Sequence, residues 1–315
     1  MRKVLLRRLL ISIPLLVAVS FGVFTLLHFA PGDPAAKVAG SEASEEQIEA
    51  VREQFGFDDP FLTRYVRWLG DAVQGDLGSS LSVSNRPVVP EIRSRLGATL
   101  SLAGMALVMG VAVGTVAGVL SARRPNGIVD RISAVGSSLA VATPNFLIGL
   151  LLVVPFAIER AWLPATGYAP LSEGVGEWFR HLLIPAASLA ALPAAETARQ
   201  LRESLLQSLD RDYILAARAK GVRPRVVLLK HALKNAAIAP VTVLGFRFAQ
   251  LVGGAVVIER LFIIDGLGSL AVEAVSNQDQ TMVLGVTVFC TALVLVTNVL
   301  VDVTYLYFNP KLRAR

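Results

Sequence analysis

Three charged side chains, Arg247, Asp302 and Glu196, lie inside or at the end of strongly apolar segments of this sequence. A charge within a hydrocarbon layer costs about 3 kcal/mol or more unless it is paired or hydrated, so such a group needs a partner or a function. We expect Arg247 to pair with Glu196 or Asp302 for structure, or to line a pathway for a polar solute. Gln250 and Asn298 are uncharged candidates for either role.

The residue types that usually carry catalysis or bind metals are scattered in this sequence. The three histidines, His28, His181 and His231, have no spacing that matches a metal site or a catalytic pair. The single cysteine, Cys290, can form neither an intrachain disulfide nor a thiolate metal site. The phosphate-binding pattern G-x-x-x-x-G-K-[ST] does not occur. We therefore expect no catalytic residue, cofactor or metal in this chain, and we expect any ATP-driven step to belong to another subunit.

A polar loop between two apolar segments combines small side chains with charges. It contains residues 212–221, with the sequence DYILAARAKG. The spacing of its apolar residues predicts a helix over Ser204–Gly221 that its final glycine ends, and Pro224 suits the first turn of a second helix. Small side chains let a partner approach closely, while Arg218 and Lys220 offer charge at the rim. The pattern predicts a helix that lies in a groove of another protein; the alternative is a solvated basic loop that only enforces topology.

These residues belong to a chain with the composition of a membrane protein. Of its 315 residues, 54% are hydrophobic and only 17% are charged, with a mean hydropathy of +0.59. Soluble domains average about 45–50% apolar and about 25% charged residues. The net charge of +6 arises from basic residues that cluster at the ends of apolar segments. This distribution is typical of residues that set orientation in a bilayer, and it makes nucleic acid an unexpected partner.

Six segments are long and apolar enough to cross a bilayer core about 30 Å thick. They are Leu9–Ala30, Ala98–Ala122, Ile132–Ile158, Leu182–Ala198, Ala236–Ile258 and Met282–Phe308. The fourth contains Pro185 and Pro193, which predicts a kinked helix surrounded by protein rather than by lipid. The first is longer than the apolar core of a signal peptide, which is about 7–15 residues, so we expect an uncleaved anchor.

The distribution of Lys and Arg predicts the orientation of these segments. The connections on one side, which include both termini and the loop 199–235, carry 19 Lys or Arg, against 10 on the opposite side. Positive residues in short loops are retained in the cytoplasm, so both termini are expected there.

Residues 31–97 form the largest piece expected outside the membrane on the opposite side. Ser44 to Gln47 has the spacing of a capping box, and Gly56 is placed to end the helix that the box starts. A second amphipathic helix is expected over Phe61 to Val73, followed by a turn at 75–80. We expect this segment to be a small helical cap on the bundle, a docking surface for an external partner, or both.

Short motifs follow one another in a fixed order along the chain. In the first third they are Pro31-Gly32-Asp33-Pro34, Gly56-Phe57-Asp58-Asp59-Pro60, Tyr65 with Trp68, Gly75-Asp76-Leu77-Gly78, and Ala98-Thr99-Leu100. Toward the end they are Gly253-Gly254-Ala255, Glu259, Phe262, Gly266-Leu267-Gly268, Asp279, Asn298, Asp302, Tyr305 and Asn309-Pro310. Together they resemble the permease subunits of dipeptide and oligopeptide ABC importers over nearly the whole chain.

The loop carries the most specific part of this resemblance. Residues 212–221, followed by Lys230-His231-Ala232-Leu233-Lys234-Asn235, are similar to the loop that membrane subunits of ABC importers insert into their ATPase partners. Leu215 stands where the broader signature has Glu, and Ala216 stands where the peptide branch often has Thr. By this resemblance the residues that couple to the ATPase are Tyr213, Ala216, Ala217, Arg218, Lys220, Gly221 and His231.

The resemblance implies an all-α protein of the cytoplasmic (inner) membrane, with six transmembrane helices in the fold of type I ABC importer permeases. A small helical extracytoplasmic insertion would separate the first two helices. The parts would be residues 1–30 with the first helix, the extracytoplasmic segment 31–97, and the permease core 98–315 with the coupling loop 199–235. The implied partners are a homologous second permease, two ATPase subunits that bind ATP and Mg, an extracytoplasmic solute-binding protein, membrane lipid and a peptide.

Two other functional classes stay open on the sequence. A secondary transporter or channel driven by an ion gradient needs a self-contained pathway and usually internal repeats, and we find no convincing repeat between the halves. A membrane-anchored receptor or protease is disfavoured by the small external piece and by the lack of a catalytic constellation. Within the importer family the substrate also stays open, because relatives carry nickel, glutathione, haem or oligosaccharides and the binding protein largely selects the solute.

Overall fold

The computed structural model describes residues 2–30, 32–40, 43–81 and 86–308, with side chains described between Leu10 and Leu300 except at 37, 238–239 and 241–245. Pro31 and the Asn309-Pro310 motif therefore lie outside the described residues. The α-helices, in chain order, are α1 Arg2–His28, α2 Pro34–Ala39, α3 Glu45–Phe55, α4 Phe61–Val73, α5 Val88–Arg123, α6 Ile128–Ala142, α7 Asn145–Val153, α8 Val175–Leu209, α9 Asp212–Ala219, α10 Pro224–Val226, α11 Leu233–Ala236, α12 Ile238–Gly254, α13 Val256–Leu261, α14 Leu267–Ser276 and α15 Gln280–Phe308. Two π-helical turns, Val154–Ile158 and Val227–Ala232, and a 3₁₀ turn at Leu171–Glu173 complete the elements. The expected all-α class is confirmed.

Three helices of the described chain are long and apolar enough to cross a membrane alone, over Leu10–His28, Val88–Arg123 and Gln280–Leu300. A fourth crossing is available if α6 and α7 together form one bent span. The predicted segments Leu182–Ala198 and Ala236–Ile258 lie in α8 and in α12 with α13. Neither of them meets the same criterion of length and apolarity, so the count of six spans stays a prediction.

The third predicted segment is not one straight helix. It consists of α6 and α7, whose axes differ by 108° at a short break. At the break Thr143 has extended backbone angles, with φ −95° and ψ 126°, and Pro144 follows it. A residue before proline is pushed out of the α region, and the proline supplies no N–H to the preceding turn, which explains the break.

The chain divides into two compact units. Of the described residues, the first unit contains those from Arg2 to Thr99 and from Asp265 to Val296, and the second unit contains those from Leu100 to Ile264 and 297–308. Within the second unit, α8 contacts α6, α7 and α12. Fourteen of its residues are buried, including both prolines. This burial agrees with the expectation that the proline-containing segment is surrounded by protein.

Three glycines spaced four residues apart let α5 approach α8 closely within the second unit. A Cβ atom at Gly110 would lie 2.8 Å from the Pro193 Cβ, and one at Gly114 would lie 2.6 Å from the Ala194 carbonyl oxygen. At Gly118 a Cβ would lie 2.8 Å from the carbonyl oxygen of Ala198. Small residues at this spacing allow two helix backbones to pack face to face in a membrane protein.

The first unit contains the expected helical piece between α1 and α5. The Ser44 hydroxyl accepts from the Gln47 backbone N–H while the Gln47 side chain accepts from the Ser44 backbone N–H, so the predicted capping box is confirmed. Gly56 ends α3 with φ +64°, as the sequence predicts. The next helix, α4, packs on α1 through aromatic contacts of Tyr65 with Phe21, and the Tyr65 hydroxyl lies 2.9 Å from the Ser20 Oγ.

Asp279 holds the start of α15 in the first unit. Its carboxylate accepts from the Met282 backbone N–H at 3.0 Å and from the Leu81 backbone N–H at 3.2 Å, and the Ser80 hydroxyl also donates to it. The residue is buried, so these hydrogen bonds satisfy a carboxylate that solvent does not reach. Asp279, one of the motif residues of the sequence, is therefore a helix cap that also fixes the preceding turn.

Candidate functional site

The loop that the sequence singles out folds as a short helix set off from α8. The prediction of one helix over Ser204–Gly221 was wrong at Asp210 and Arg211, because α8 ends at Leu209 and α9 begins at Asp212. Arg211 has extended backbone angles, with φ −81° and ψ 148°. The polar run Asp210-Arg211-Asp212 offers no apolar residue to bury, so the helix is not held together by packing at this point.

Packing within the second unit anchors α9 through one side chain. Ile214 is fully buried and belongs to an apolar cluster with residues of α5, α8 and the segment 227–236. The other buried members of this cluster are Ala122, Leu201, Leu205, Val227, Leu228, Ala232 and Ala236. The position of α9 is therefore tied to the end of α8 and to the helical segment that follows it.

Hydrogen bonds from one tyrosine fix the same junction. The Tyr213 hydroxyl lies 2.6 Å from the Ser208 Oγ of α8, and it accepts from the Asn235 side-chain amide at 3.1 Å. The same amide donates to the His231 carbonyl oxygen at 3.2 Å. Tyr213 thus holds the loop together through its hydroxyl, and His231 contributes through its backbone carbonyl oxygen; both were predicted as site residues. The sequence reasoning did not include Ser208. Ser208 lies five residues before the tyrosine, on the other side of the break between α8 and α9, so helical periodicity could not reveal the contact.

Gly221 ends α9 in a left-handed conformation. Its φ is +72°, its N–H donates to the Arg218 carbonyl oxygen at 2.9 Å, and the next N–H, from Val222, donates to the Ala217 carbonyl oxygen at 3.2 Å. This pair of bonds is the Schellman arrangement, in which glycine is preferred because it has no Cβ. The predicted helix start at Pro224 is confirmed, and the chain continues through the π-helical turn to α11.

One face of α9 is exposed and carries most of the predicted coupling residues. Leu215 is 55% exposed and the Tyr213 ring is 42% exposed. Ala216, Arg218, Ala219, Lys220 and Gly221 are also exposed, whereas Ala217 is half-buried against the cluster. A Cβ atom added at Gly221 would have no atom of the described residues within 4 Å, apart from those of Gly221 and its two chain neighbours. The result is a small, smooth, apolar surface with basic groups at its edge, which suits docking into a groove of another protein.

The structure brings three of the predicted intramembrane groups together in the second unit. The Arg247 guanidinium lies 2.8 Å from a carboxylate oxygen of Glu196, and it donates to the Gln250 side-chain oxygen at 2.6 Å. The Arg247 Nε atom is buried without a hydrogen-bond partner among the described residues. Asn298 is half-buried on α15, and the side chain of Asp302 lies outside the described residues. Arg247 therefore links α12 to α8 and keeps one donor unused.

A further charged pair, which the sequence reasoning missed, joins α6 to α8. Arg202 donates two hydrogen bonds to the Asp130 carboxylate, at 2.6 and 2.7 Å, and the Asn126 backbone N–H donates to the same group at 2.8 Å. Asp130 is only 6% exposed. Its signal in the sequence is that it is the single acid in the basic stretch 123–131. The pair fixes the end of α8 that leads into the loop.

Within the described residues, no group of three or more His, Cys, Asp or Glu side chains could hold a metal ion. The site consists of the exposed helix α9, the contacts that anchor it to α8, and the pair formed by Glu196, further along α8, with Arg247. This arrangement can transmit a movement of α9 along α8 to the helices packed on it, because α8 is one continuous helix from Val175 to Leu209.

Comparison with known proteins identifies the architecture. The family described as "Binding-protein-dependent transport system inner membrane component" matches residues 114–314, and its N-terminal companion matches residues 1–103. A "probable peptide ABC transporter permease protein" of Sinorhizobium fredii is 39% identical over 309 residues, which is 98% of each chain. The glutathione transport system permease protein GsiC of Escherichia coli K12 is 39% identical over 308 residues, again 98% of each chain.

A solved structure supports the fold. A chain from an inward-facing structure of the MetNI methionine ABC transporter superposes with a TM-score of 0.55. The match covers 70% of this chain and 96% of that one, at 19% identity. At this level of identity the likeness concerns the fold alone.

Proposed function

Because the chain belongs to the family of binding-protein-dependent transport system inner membrane components, we propose that it forms half of the pathway of an ATP-driven peptide importer. Family membership makes it the permease subunit of an ABC transporter, a non-catalytic, multi-pass protein of the inner membrane. Membership also implies an ATPase and a binding protein as partners. The exposed face of α9 is the observation that carries the coupling part of the proposal.

Peptides are the substrate class that the relatives favour. One relative is named for peptide transport and another for glutathione, which is itself a tripeptide. The shared chemistry is a backbone with amide groups and charged ends. Nickel, haem and oligosaccharides, the other solutes open on the sequence, lack this chemistry. Competition for uptake by unlabelled dipeptides, glutathione and each of these solutes would distinguish them.

Coupling is assigned to the exposed face of α9 and to the residues that position it. Ala216 and Gly221 would let an ATPase surface approach the helix backbone, and Arg218 and Lys220 would contact acidic groups at the rim of that surface. Ala217 would hold α9 against the apolar cluster. Tyr213 and His231 hold the loop rather than extend from it, so we assign them a positioning role. The proposed complex contains two ATPase subunits, which bind ATP and Mg, and a homologous second permease. The binding protein would deliver substrate at the face opposite to the loop, and both termini would be cytoplasmic.

The coupling proposal is tested by cross-linking. In a Cys290→Ser background, we expect Ala216→Cys to form a cross-link to the ATPase subunit with a short thiol-to-amine reagent. Val73→Cys is the matched control, since Val73 is highly exposed on the helical piece between α1 and α5. Equal cross-linking of both cysteines to the ATPase, or of neither, would contradict the assignment.

The movement of α9 is proposed to reach the pathway through α8. The two helices share the Ser208–Tyr213 contact and the apolar cluster around Ile214. Further along α8 lies Glu196, paired with Arg247 of α12. A helix packed on its neighbours over this length moves as a rigid element, so closure of the ATPases would rock α8 and the helices packed on it.

We propose that Arg247 and Glu196 act first as a structural pair. The two side chains are each about one-fifth exposed, and an unpaired charge at that depth would be costly. Gln250 supports the arginine from the same helix, one turn away. In a second role, the unused Nε donor of Arg247 would donate a hydrogen bond to a carboxylate of a peptide that passes along the pathway.

An exchange of charges separates these two roles. Arg247→Gln should lower the amount of folded complex, because it leaves the Glu196 carboxylate buried without its partner. The double variant Arg247→Glu/Glu196→Arg should restore folded complex and at least about half of the uptake if the pair is structural. Size-exclusion chromatography and peptide uptake measure the two effects. Restored folding with no uptake would instead assign Arg247 to the pathway.

A further inference from the structure

A cavity beside the loop is lined by arginines on two sides. Its volume is about 960 Å³, and it lies between the end of α5, the start of α6, and the loop around α9 and α10. Among the residues that the structure describes, its charged lining residues are Arg123, Arg124, Arg218 and Arg225, and no Asp or Glu side chain lines it. All four arginines are exposed. Four like charges around one space repel one another unless an anion joins them.

Asp130, the single acid in the stretch 123–131, does not neutralise this cavity. Asp130 is engaged by two hydrogen bonds from Arg202 and one from the Asn126 backbone. It is also buried, on the side of α6 that faces α8. None of the four arginines forms a salt bridge in the part of the chain that the structure describes. The cavity therefore keeps its positive charge available to a ligand.

The walls of the cavity are apolar on the side of α6. Ile128 and Val129 line it and are exposed, as is Leu120 of α5. From Ile128 an exposed apolar row continues along α6 through Ile132, Val135 and Leu139. These positions share one face of the helix, since they are spaced four, three and four residues apart. A charged pocket thus opens onto an apolar track that runs along a helix of the bent span.

We propose that this cavity binds the headgroup of one anionic phospholipid, whose acyl chains lie along the exposed row of α6. Arg123 is the last residue of α5, a helix long enough to span the membrane, and the expected orientation puts this end of α5 on the cytoplasmic side. A phosphate fits the guanidinium groups with paired hydrogen bonds, and basic pockets at helix ends on the cytoplasmic side suit anionic headgroups. A free phosphate has no acyl chain and would make no contact with the exposed apolar row of α6. The inference rests on the proposed orientation of the membrane protein.

The proposed lipid would touch the docking helix. Arg218 lies on α9 and lines the cavity from the loop side, whereas Arg124 lines it from the connection between α5 and α6. A single headgroup held between them would bridge the membrane-spanning helices and the surface assigned to the ATPase. We therefore expect coupling, and not peptide binding, to depend on anionic lipid.

The test compares lipid retention by the intact complex in its wild-type and variant forms. The complex is placed in nanodiscs of phosphatidylcholine with or without phosphatidylglycerol, and the bound lipid is measured by native mass spectrometry after transfer to detergent. We expect one retained phosphatidylglycerol, with an affinity about thirtyfold weaker in Arg124→Gln/Arg225→Gln, since two positive charges near the surface are removed. Arg124→Lys/Arg225→Lys should keep most of the retention.

The matched control is Arg211→Gln/Arg223→Gln, which removes two exposed charges of the same loop that do not line the cavity. It should retain phosphatidylglycerol like the wild type. The proposal would be overturned if the wild type retained both lipids equally, or if both double variants lost the lipid to the same extent. It would also be overturned if inorganic phosphate alone displaced the lipid, or if an acidic segment of the ATPase could be cross-linked into the cavity. Lipid retention is read without substrate or ATP, so its failure would not bear on peptide transport.

Discussion

Replacing Gly221 with tryptophan is expected to remove nearly all ATP-driven uptake while the chain still inserts into the membrane and folds. Gly221 has φ +72°, a conformation that costs an L-residue about 1–2 kcal/mol, so the end of α9 is distorted. The new side chain would meet no atom of this chain within 4 Å of its Cβ. It would instead project from the exposed end of the helix and block the approach of the ATPase. We expect uptake to fall roughly a hundredfold, as when an interface contact worth about 2–3 kcal/mol is lost.

Gly221→Asn is the matched control for this substitution. Asparagine tolerates the left-handed conformation and is small, so the variant should keep most of the uptake. Recovery of the ATPase with the tagged chain should follow the same order, with loss in the tryptophan variant and retention in the asparagine variant. Normal uptake by a well-expressed Gly221→Trp chain would remove Gly221 from the coupling surface.

The second large effect is expected at the contact of α5 with α8. A Cβ at Gly114 would lie 2.6 Å from both the Ala194 carbonyl oxygen and the Thr197 Cβ, so even alanine requires the two helices to separate. We expect Gly114→Ala to lower the free energy of unfolding by about 1–3 kcal/mol, and Gly114→Leu to prevent recovery of folded complex. The measurements are the unfolding midpoint in mixed micelles and the yield of monodisperse complex.

Gly104 provides the matched control for the packing prediction. It lies on the same helix, and a Cβ there would meet nothing within 4 Å. Gly104→Ala should therefore keep or slightly raise stability, because alanine has the higher helix propensity by about 1 kcal/mol. Similar losses for Gly104→Ala and Gly114→Ala would show that the approach of α5 to α8 does not determine stability.

Sequence patterns predicted the elements whose ends carry a local signal. The capping box at Ser44, the left-handed glycine at 56, and the helix start at Pro224 all form as expected, since each depends on the residue and its immediate neighbours. The end of α9 at Gly221 follows the same rule. Such local rules place a helix in the sequence, but they do not say what it packs on.

Features that depend on packing or on distant partners were predicted less well. The glycine row of α5 was not singled out, because only its contact with α8 shows why a side chain is excluded there. The pair of Asp130 with Arg202 joins residues 72 positions apart, which no periodicity reveals. The break at Asp210 separates two stretches with compatible helical spacing, and the bend at Pro144 divides a segment that is long and apolar enough to be predicted as one span.

Hypotheses about the charged groups were limited for the same reason. The sequence offers Glu196 and Asp302 as partners of Arg247 and cannot choose between them, because both lie in apolar segments. The structure places Glu196 within 2.8 Å of the arginine. Roles in coupling and in the pathway concern partners that lie outside this chain, so they remain proposals that the experiments above address.

Transport by the affinity-purified assembly tests the central claim most directly. The tagged chain is purified from native membranes in mild detergent, its partners are identified by mass spectrometry, and the assembly is reconstituted for uptake of a labelled dipeptide. The account predicts recovery of a second permease and ATPase subunits, and uptake that requires both ATP and the binding protein. A chain that purifies alone and moves solute without ATP, driven by an ion gradient, would contradict it and identify a secondary transporter.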